Sequence, residues 1–262
     1  MIRGEHLVVK YRGNTAMNHV NIRFESGLIH SILGPNGCGK STLLKVLSRQ
    51  LQEESGVVYV DGKEAKEWGL KPFARHLAML AQSQERLSDI SVYDLVSYGR
   101  FPHKGFMQRL DDDDRAIVEC ALKLTGMEAF AERSVLELSG GERQRARIAM
   151  AVAQQPKVLM LDEPTTYLDI CHQLEIMELV LHLNRVQNMT VIMVLHDLNH
   201  AAAYSDRITV MKQGTVYAHG KPSEVICAEM LRDVFEVEAC VELEEGSGHP
   251  IIKSMRLLPV KR

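Results

Sequence analysis

The chain alternates short apolar runs with longer stretches in which apolar residues recur at helical spacing. The runs of strand length are "LIHSIL", "GVVYVDG", "LAMLAQ", "KVLMLDEP", "TVIMVLHD" and "RITVMKQG". The stretches "KSTLLKVLSRQ" and "QLEIMELVLHLNRVQ" place their apolar side chains on one face of a helix. Because strands alternate with helices, the pattern predicts a mostly parallel sheet in an α/β domain.

The middle of the chain has a different pattern. Between about Ser91 and Gln154 the stretches "SVYDLVSYGR", "DDDDRAIVECALKL" and "GGERQRARIAMAVAQ" all read as helices, which predicts a helical insertion. The acidic run from Asp111 to Asp114 has two interpretations, a metal site or the start of a helix. Carboxylates cap a helix N-terminus and complement its dipole, which favours the second. Near the end, "VELEEGSGHPIIKS" predicts a hairpin with "EGSG" as its turn.

Composition narrows the class of protein. The 262 residues are 45% hydrophobic and 25% charged with a net charge of -3, so we expect a sizeable core and no bulk binding of nucleic acid. The apolar runs are shorter than the roughly 18 to 20 residues that span a bilayer. The first residues, "MIRGEHLVVKYRG", lack the apolar core of a signal peptide. We therefore expect a soluble or peripheral protein on the cytoplasmic side.

Cysteine and histidine positions suggest no structural metal. The five cysteines include no CxxC pair, which fits free thiols in a reducing compartment. The eleven histidines show no HExxH motif, and we expect His103 and His172 to be ordinary surface or core residues.

Residues 34–41 read "GPNGCGKS", between a predicted strand and a predicted helix, and they fit the P-loop pattern G-x-x-x-x-G-K-[ST]. Glycines let the backbone curl so that its N–H groups converge on phosphate oxygens, and the following helix directs its positive end at the same anion. We predict that Lys40 reaches the β- and γ-phosphates, that Ser41 ligates Mg²⁺ and that Thr42 contacts another phosphate oxygen. The predicted nucleotide-binding residues of this segment are Gly34, Pro35, Asn36, Gly37, Cys38, Gly39, Lys40, Ser41 and Thr42.

Cys38 lies inside this loop, next to a helix N-terminus. Such a position lowers the pKa of a thiol, so we expect a reactive but non-catalytic cysteine whose alkylation blocks nucleotide binding.

The segment "VLMLDEP" supplies a pair of carboxylates at the end of a buried strand. Asp162 is placed to hold Mg²⁺, and Glu163 is placed to accept a proton from an attacking water. An acidic pair can also simply cap a strand end. Beside a P-loop, the catalytic interpretation is favoured.

The segment Leu138–Glu142 reads "LSGGE". Here the sequence resembles the ATP-binding cassette (ABC) ATPases, whose signature is LSGGQ or a close variant, with Glu142 in place of the commoner Gln. The resemblance covers essentially the whole chain. It implies that Ser139, Gly140 and Gly141 form a second phosphate cradle at a helix N-terminus, which faces the γ-phosphate held by another subunit.

The resemblance also assigns roles to residues outside these segments. Tyr11 matches the aromatic residue that stacks on adenine, and Gln82 matches the Q-loop glutamine, which touches Mg²⁺ or water. Leu168–Asp169 matches the D-loop, which packs across the dimer, and His196 matches the switch histidine that reaches the γ-phosphate. A lone tyrosine or histidine is more often structural, so these two assignments depend on their place among the other motifs.

The resemblance implies an α/β fold with a P-loop NTPase (RecA-like) core, an N-terminal antiparallel β subdomain and a helical insertion subdomain. It makes residues 1–262 a single ABC ATPase domain. Within it we expect the nucleotide-binding core at 1–85 and 155–225, the helical subdomain with the signature at 86–154, and a C-terminal extension at 226–262.

The function implied is ATP hydrolysis for a membrane transporter. One copy of each motif implies a head-to-tail homodimer with ATP and Mg²⁺ at its interface, on the cytoplasmic face of the cell membrane. The permease is then a separate chain, served by an exported substrate-binding protein. The stretches "SVYDLVSYGRFPH", "EPTTYLDICHQLEIMELV" and "LHDLNHAAAYSDRITVMKQG" resemble ATPases of ferric-siderophore importers. Residues 99–103, "GRFPH", begin the helical insertion, where a permease would dock. The alternatives are a haem or cobalamin importer, or a soluble ABC ATPase outside transport.

Overall fold

The computed structural model describes residues 1–11, 13–82, 88–105 and 108–258. The chain forms two compact units, the first made of residues 1–67 and 192–262 and the second of residues 68–191. The boundary expected between residues 85 and 86 lies outside the described residues, as do the last four residues of the expected C-terminal extension. The division into core, helical subdomain and extension stays a prediction.

The described residues form twelve strands and nine α-helices. The strands are β1 (Ile2–Tyr11), β2 (Asn14–Phe24), β3 (Ile29–Leu33), β4 (Ser55–Val60), β5 (Lys63–Glu64), β6 (Leu77–Leu80), β7 (Val158–Asp162), β8 (Thr190–Val194), β9 (Arg207–Lys212), β10 (Thr215–Gly220), β11 (Val237–Leu243) and β12 (Pro250–Leu257). The helices are α1 (Lys40–Leu47), α2 (Leu70–His76), α3 (Val92–Ser97), α4 (Asp112–Leu124), α5 (Gly140–Ala153), α6 (Ile170–Gln187), α7 (Leu198–Tyr204), α8 (Pro222–Val225) and α9 (Ala228–Phe235).

The described residues of the first unit contain strands of three sheets, one of which is the C-terminal hairpin of β11 and β12. Of the other two, one has the strand order β2-β1-β4-β5, and its strands are antiparallel, which confirms the N-terminal antiparallel subdomain. The other has the order β10-β9-β3-β8, with β3 parallel to β9 and His30 opposite Arg207. All five residues of β3 are buried, which explains why this segment reads as a continuous apolar run rather than an alternating one.

The C-terminal hairpin is confirmed and is attached to α7. Strands β11 and β12 are antiparallel, with Val237 opposite Leu257. The side chain of Asn199 in α7 accepts a hydrogen bond from the Ile252 backbone N–H at 2.9 Å and donates one to the Ile252 carbonyl at 3.5 Å. The hairpin is therefore fixed to the helix that follows His196.

The second unit combines a parallel strand pair with helices. Strands β6 and β7 run parallel, with Leu77 opposite Val158. Among the described residues from 91 to 154 there is no strand, only one isolated pairing between Ser91 and Ser134, so the helical insertion is confirmed. The acidic run does start a helix, because the Asp111 side chain caps α4 by accepting from the Asp114 N–H at 3.0 Å.

In the part of the chain that the structure describes, no helix combines the length and the apolar character needed to cross a membrane.

Candidate functional site

The P-loop lies between β3 and α1 in the first unit, and its shape depends on two glycines. Gly34 has a φ of 146°, and a Cβ there would lie 2.3 Å from the Met211 carbonyl oxygen. Gly39 has a φ of 106°, and its Cβ would lie 2.7 Å from the Ala16 carbonyl oxygen. Residues with a Cβ rarely adopt these φ angles, and a backbone oxygen cannot move aside as a flexible side chain can. The loop therefore has its shape because both positions are glycine.

Lys40 is held inside the curve of this loop. Its Nζ donates to the carbonyl oxygens of Gly34 at 2.8 Å and Pro35 at 3.0 Å, and the residue is only 5% exposed. Ser41 and Thr42 follow in the first turn of α1 and are half-buried. An ammonium group and the amides of a helix N-terminus thus share one small region, which is the chemistry that binds phosphate.

Cys38 is buried in the loop, and the expectation of a reactive thiol is wrong. Its Sγ lies 2.7 Å from the position that a Cβ on Gly34 would take, which places the thiol inside the turn. Burial raises the pKa of this thiol, and this effect outweighs the neighbouring Lys40 charge. The sulfur is therefore protonated at neutral pH and shielded from reagents.

Two further predicted residues belong to the first unit. Tyr11 ends β1 and is 44% exposed, so its ring is accessible for stacking. His196 is exposed and lies two residues beyond β8. The next residue, Asp197, caps α7 by accepting from the His200 N–H at 2.8 Å, which fixes the end of the segment that carries His196.

The acidic pair belongs to the second unit, where Asp162 ends the buried strand β7 and Glu163 follows it. Asp162 is 5% exposed. Glu163 has a φ of 54°, a left-handed conformation that costs a non-glycine residue roughly 1–2 kcal/mol. Its Oε2 accepts from Gln82 Nε2 at 2.5 Å and from Thr166 Oγ1 at 3.1 Å. The carboxylate is thus held in one orientation by two donors, and backbone strain of this kind occurs at functional sites.

A cleft of about 600 Å³ in the second unit collects residues from four of the predicted motifs. Gln82, Asp162, Glu163, Gly140 and Leu168 all line it. The structure therefore brings the Q-loop glutamine, the acidic pair, the signature and the D-loop together. The predicted residues Tyr11, His196 and those of the P-loop lie in the first unit.

The signature begins helix α5 and forms a capping box. Ser139 Oγ accepts from the Glu142 N–H at 3.2 Å, and Glu142 Oε2 accepts from the Ser139 N–H at 2.8 Å. This Ser139 N–H is the main cause that lowers the pKa of Glu142. A carboxylate accepts this bond as well as an amide oxygen does, which accounts for glutamate at a position where glutamine is commoner.

The signature glycines pack against the segment that starts α6. A Cβ on Gly140 would lie 3.4 Å from Leu168 Cδ2, and one on Gly141 would lie 2.5 Å from His172 Cγ. Asp169 caps α6 by accepting from the His172 N–H at 2.9 Å. Asp169 is thus a helix cap in this chain, and its side chain fixes the D-loop geometry.

Two contacts at this site were not anticipated from the sequence. Thr166 donates to the Glu163 carboxylate at 3.1 Å. The sequence signal for this contact is that Thr166 follows Glu163 by three residues. His172 faces Gly141, and nothing in its spacing from Asp169 reveals which side of α6 it occupies.

The stretch "GRFPH" contributes a buried ion cluster. Arg100 donates to Asp114 Oδ1 at 3.0 Å and to the Ala153 carbonyl at the end of α5 at 2.8 Å. Lys104 contacts both Asp111 and Asp114. Arg100 therefore stabilises the helical region from inside. The exposed side chains near it are Tyr98 and Phe101, whose rings lie 5.0 Å apart.

The donor set fits Mg²⁺. Mg²⁺ is usually held by one or two carboxylates together with phosphate oxygens and waters, rather than by a full protein cage. Asp162 and Gln82 supply a carboxylate and an amide oxygen in the cleft, and Ser41 supplies a hydroxyl in the P-loop. In the described ranges, no group of three or more His, Cys, Asp or Glu side chains could hold a metal.

A glycine loop that encloses a lysine, together with an acidic pair at a strand end, defines a nucleoside-triphosphate hydrolase. The model of the ABC transporter family matches residues 17–166, more than half of the chain. This chain belongs to the ABC transporter family, and it is an ATPase of that family.

Curated relatives match over nearly the full length. The chain is 44% identical over 254 residues to the iron(3+)-hydroxamate import ATP-binding protein FhuC of Bacillus subtilis (strain 168), which covers 97% of this chain and 94% of that protein. It is 46% identical over 241 residues to the petrobactin import ATP-binding protein FpuC of Bacillus anthracis, which covers 92% and 88%.

A solved structure with the same fold is the dimeric post-hydrolysis state of the ATP-binding cassette MJ0796, bound to ADP and Pi. The TM-score is 0.72 with 27% identity, covering 84% of this chain and 98% of that one. The α/β fold expected from the sequence is thereby confirmed.

Proposed function

We propose that this chain hydrolyses ATP to power the import of ferric-siderophore complexes through a separate membrane permease. The catalytic part is carried by the hydrogen bond that Gln82 donates to Glu163. Glu163 has a strained backbone, follows a buried strand and lines the same cleft as Asp162. The cargo is supported by the two relatives, one for iron(3+)-hydroxamate import and one for petrobactin import.

The residues of the chain have distinct roles in this proposal. Lys40 and the loop amides bind the β- and γ-phosphates, and Tyr11 stacks on adenine. The Glu163 carboxylate accepts a proton from the attacking water, and the hydrogen bond from Gln82 keeps that carboxylate oriented. His196 contacts the γ-phosphate. When bound through Ser41, Gln82 and Asp162, Mg²⁺ would neutralise charge that develops on the phosphate oxygens.

A second copy completes the site. We expect Ser139, Gly140 and Gly141 of one copy to contact the γ-phosphate bound by the P-loop of the other, with Asp169 near the interface. Subunit closure then depends on ATP, and hydrolysis reverses it. The chain would act at the cytoplasmic face of the membrane, with a permease and an exported substrate-binding protein as partners.

Glu163→Gln tests the catalytic part. It should lower kcat for ATP hydrolysis by roughly 10²- to 10⁴-fold, because the general base is lost, while ATP binding is retained and an ATP-bound dimer accumulates. Phosphate release and sedimentation velocity measure the two effects. Glu119→Gln, on the exposed surface of α4, is the matched control and should behave as wild type. Normal hydrolysis by Glu163→Gln would show that another group is the base.

A strain that lacks the chain tests the cargo. Uptake of ⁵⁵Fe bound to hydroxamates and to petrobactin should fall, and the wild-type chain but not Glu163→Gln should restore it. Loss of haem or cobalamin uptake alone would favour those importers instead. Normal uptake of every compound would exclude import as the function.

A further inference from the structure

The contact between the signature turn and the start of α6 is closer than ordinary helix packing. Three atoms of the His172 ring, Cγ, Cδ2 and Nδ1, lie 2.5, 2.7 and 2.8 Å from the position of a Cβ on Gly141. Real Cβ atoms do not come this close to a neighbouring side chain. The imidazole therefore takes the space that a side chain at residue 141 would need.

The ring is held in this place from both helices. His172 Nδ1 lies 3.1 Å from Glu175 Oε2, one turn along α6, and that same oxygen lies 3.6 Å from Arg145 Nη1 on α5. The backbone of His172 is held as well, because its N–H donates to Asp169 Oδ1. A small shift of the Asp169 segment would therefore move the ring, and with it the surface on which Gly141 rests.

A second contact joins the same two segments. Leu168 lies against Gly140, and the Leu168 carbonyl accepts from Gln173 Nε2 at 2.9 Å, which fixes the leucine to the first turn of α6. Each signature glycine therefore contacts a residue that either precedes α6 (Leu168) or lies in its first turn (His172).

We propose that His172 is a positioning residue that couples the Leu168–Asp169 segment to the signature turn within one copy of the chain. The inference rests on the proposed function, in which the signature turn serves the nucleotide bound by the second copy. His172 touches no nucleotide. It sets the position of the Gly141 amide, so that displacement of one copy's D-loop changes the affinity of that copy's signature for the partner's ATP.

The test measures closure of the dimer rather than catalysis. In the Glu163→Gln parent, sedimentation velocity across an ATP titration gives the ATP concentration for half-maximal dimerisation. His172→Ala should raise this concentration roughly 5- to 30-fold, the upper part of the range for residues that transmit coupling between sites. A fluorescent ATP analogue should bind the single chain with an affinity within about twofold of the parent, because the P-loop lies elsewhere in the chain.

A conservative variant separates positioning from mere packing loss. His172→Asn retains Cγ and places atoms where Nδ1 and Cδ2 of the ring lie, so it keeps both the contact with Gly141 and a donor for Glu175. It should restore dimerisation to within about threefold of the parent. His182→Ala, on the exposed surface of the same helix, is the control and should leave dimerisation unchanged.

The outcomes decide between the two proposals. If the parent itself fails to dimerise with ATP, the composite site is wrong. If the parent dimerises and His172→Ala dimerises at the same ATP concentration, the positioning role is wrong. Should His172→Ala fail to fold, Glu175→Ala is the alternative variant. Glu175 is half-exposed, and its loss removes the partner of the His172 ring, so the ATP concentration for half-maximal dimerisation should also rise. The absence of a shift there would also overturn the inference.

Discussion

The chain contains two glycine-rich turns that start helices, and each needs glycine for a different reason. In the P-loop, Gly34 and Gly39 have left-handed φ angles of 146° and 106°, and backbone oxygens crowd them. In the signature, Gly141 belongs to the first turn of an ordinary helix and is crowded by the side chain of His172. The P-loop therefore needs glycine for its backbone conformation, whereas the signature needs glycine to leave room for a neighbouring side chain.

This difference predicts how far each turn can adjust. The P-loop is fixed by backbone conformation and by neighbouring carbonyl groups, neither of which can move without disturbing a strand. The signature turn is fixed by its capping box and by the positions of Leu168 and His172, which are side chains with rotamers of their own. The nucleotide would therefore meet one rigid turn and one turn that responds to its surroundings.

Alanine substitutions test the comparison most directly. Gly34→Ala should weaken ATP binding by on the order of 100-fold, the effect of about 3 kcal/mol of strain, because its methyl group meets a backbone oxygen. Gly141→Ala should leave ATP binding by the single chain within about twofold and impair dimerisation instead. Equilibrium titration with a fluorescent ATP analogue measures the binding.

Gly37→Ala is the internal control for these variants. Gly37 has a φ of 77°, and among the described residues no atom lies within 4 Å of its Cβ position. The strain is then conformational only, about 1–2 kcal/mol, so binding should weaken less than for Gly34→Ala. An equal loss of ATP affinity in Gly141→Ala and Gly34→Ala would contradict the proposed difference between the two turns.

The buried ion cluster should support the signature region without affecting the P-loop. Arg100→Ala leaves Asp114 in a buried place with one partner fewer, which should lower the free energy of unfolding by about 3–5 kcal/mol. Burial alone would raise the pKa of Asp114, but the hydrogen bonds from Lys104 and Arg100 outweigh it and hold this pKa well below its ordinary value.

Urea denaturation measures this effect, with Arg115→Ala as the control. Arg115 makes an exposed ion pair with Asp112 on the same helix, so its loss should cost less than about 0.5 kcal/mol. The folded Arg100→Ala protein should still bind ATP normally, and a weakened ATP affinity would contradict the separation of the two turns.

The smallest expected effect is on the pH dependence of stability. The groups beside the two turns titrate in different pH ranges. His30 lies in β3, which leads into the P-loop, and burial lowers its pKa from the ordinary 6.5. Below pH 6.5 the unfolded chain therefore takes up protons before the folded chain does, and stability falls as the pH decreases. Glu142 has a pKa below 4.5, so its contribution is present above pH 4.5 and is lost only as the pH falls through the lowered value.

His30→Gln isolates the first of these ranges. Glutamine can still donate to the Glu25 carbonyl, which His30 Nε2 contacts at 2.9 Å, but it does not titrate. The urea midpoint of the variant should change less between pH 7 and pH 5 than that of the wild type. His182→Gln, at an exposed position, should retain the wild-type dependence. Identical slopes for His30→Gln and wild type would exclude His30 as the cause.

The sequence was sufficient for features that are local in the chain. Buried strands such as β3 and β7 read as apolar runs, and the cap of α4 follows from the acidic run itself. The environment of Cys38 was not predictable, because its turn packs against a segment far along the chain, where the Gly214 N–H donates to the Cys38 carbonyl at 3.1 Å. The same holds for His172 and for the pairing of Arg100 with Asp114, which depend on how helices pack. The spacing of a motif indicates which residues act, whereas their environment depends on distant neighbours.

The left-handed backbone of Glu163 has a consequence for any attempt to stabilise this protein. Glycine at that position would remove the strain of roughly 1–2 kcal/mol, and asparagine would reduce it, since both adopt the conformation more readily. Either change would also delete the carboxylate. With Glu163 as the proposed general base, a search for heat-resistant variants by melting temperature alone would thus favour inactive protein at this residue, and the strain would mark a place where activity and stability compete.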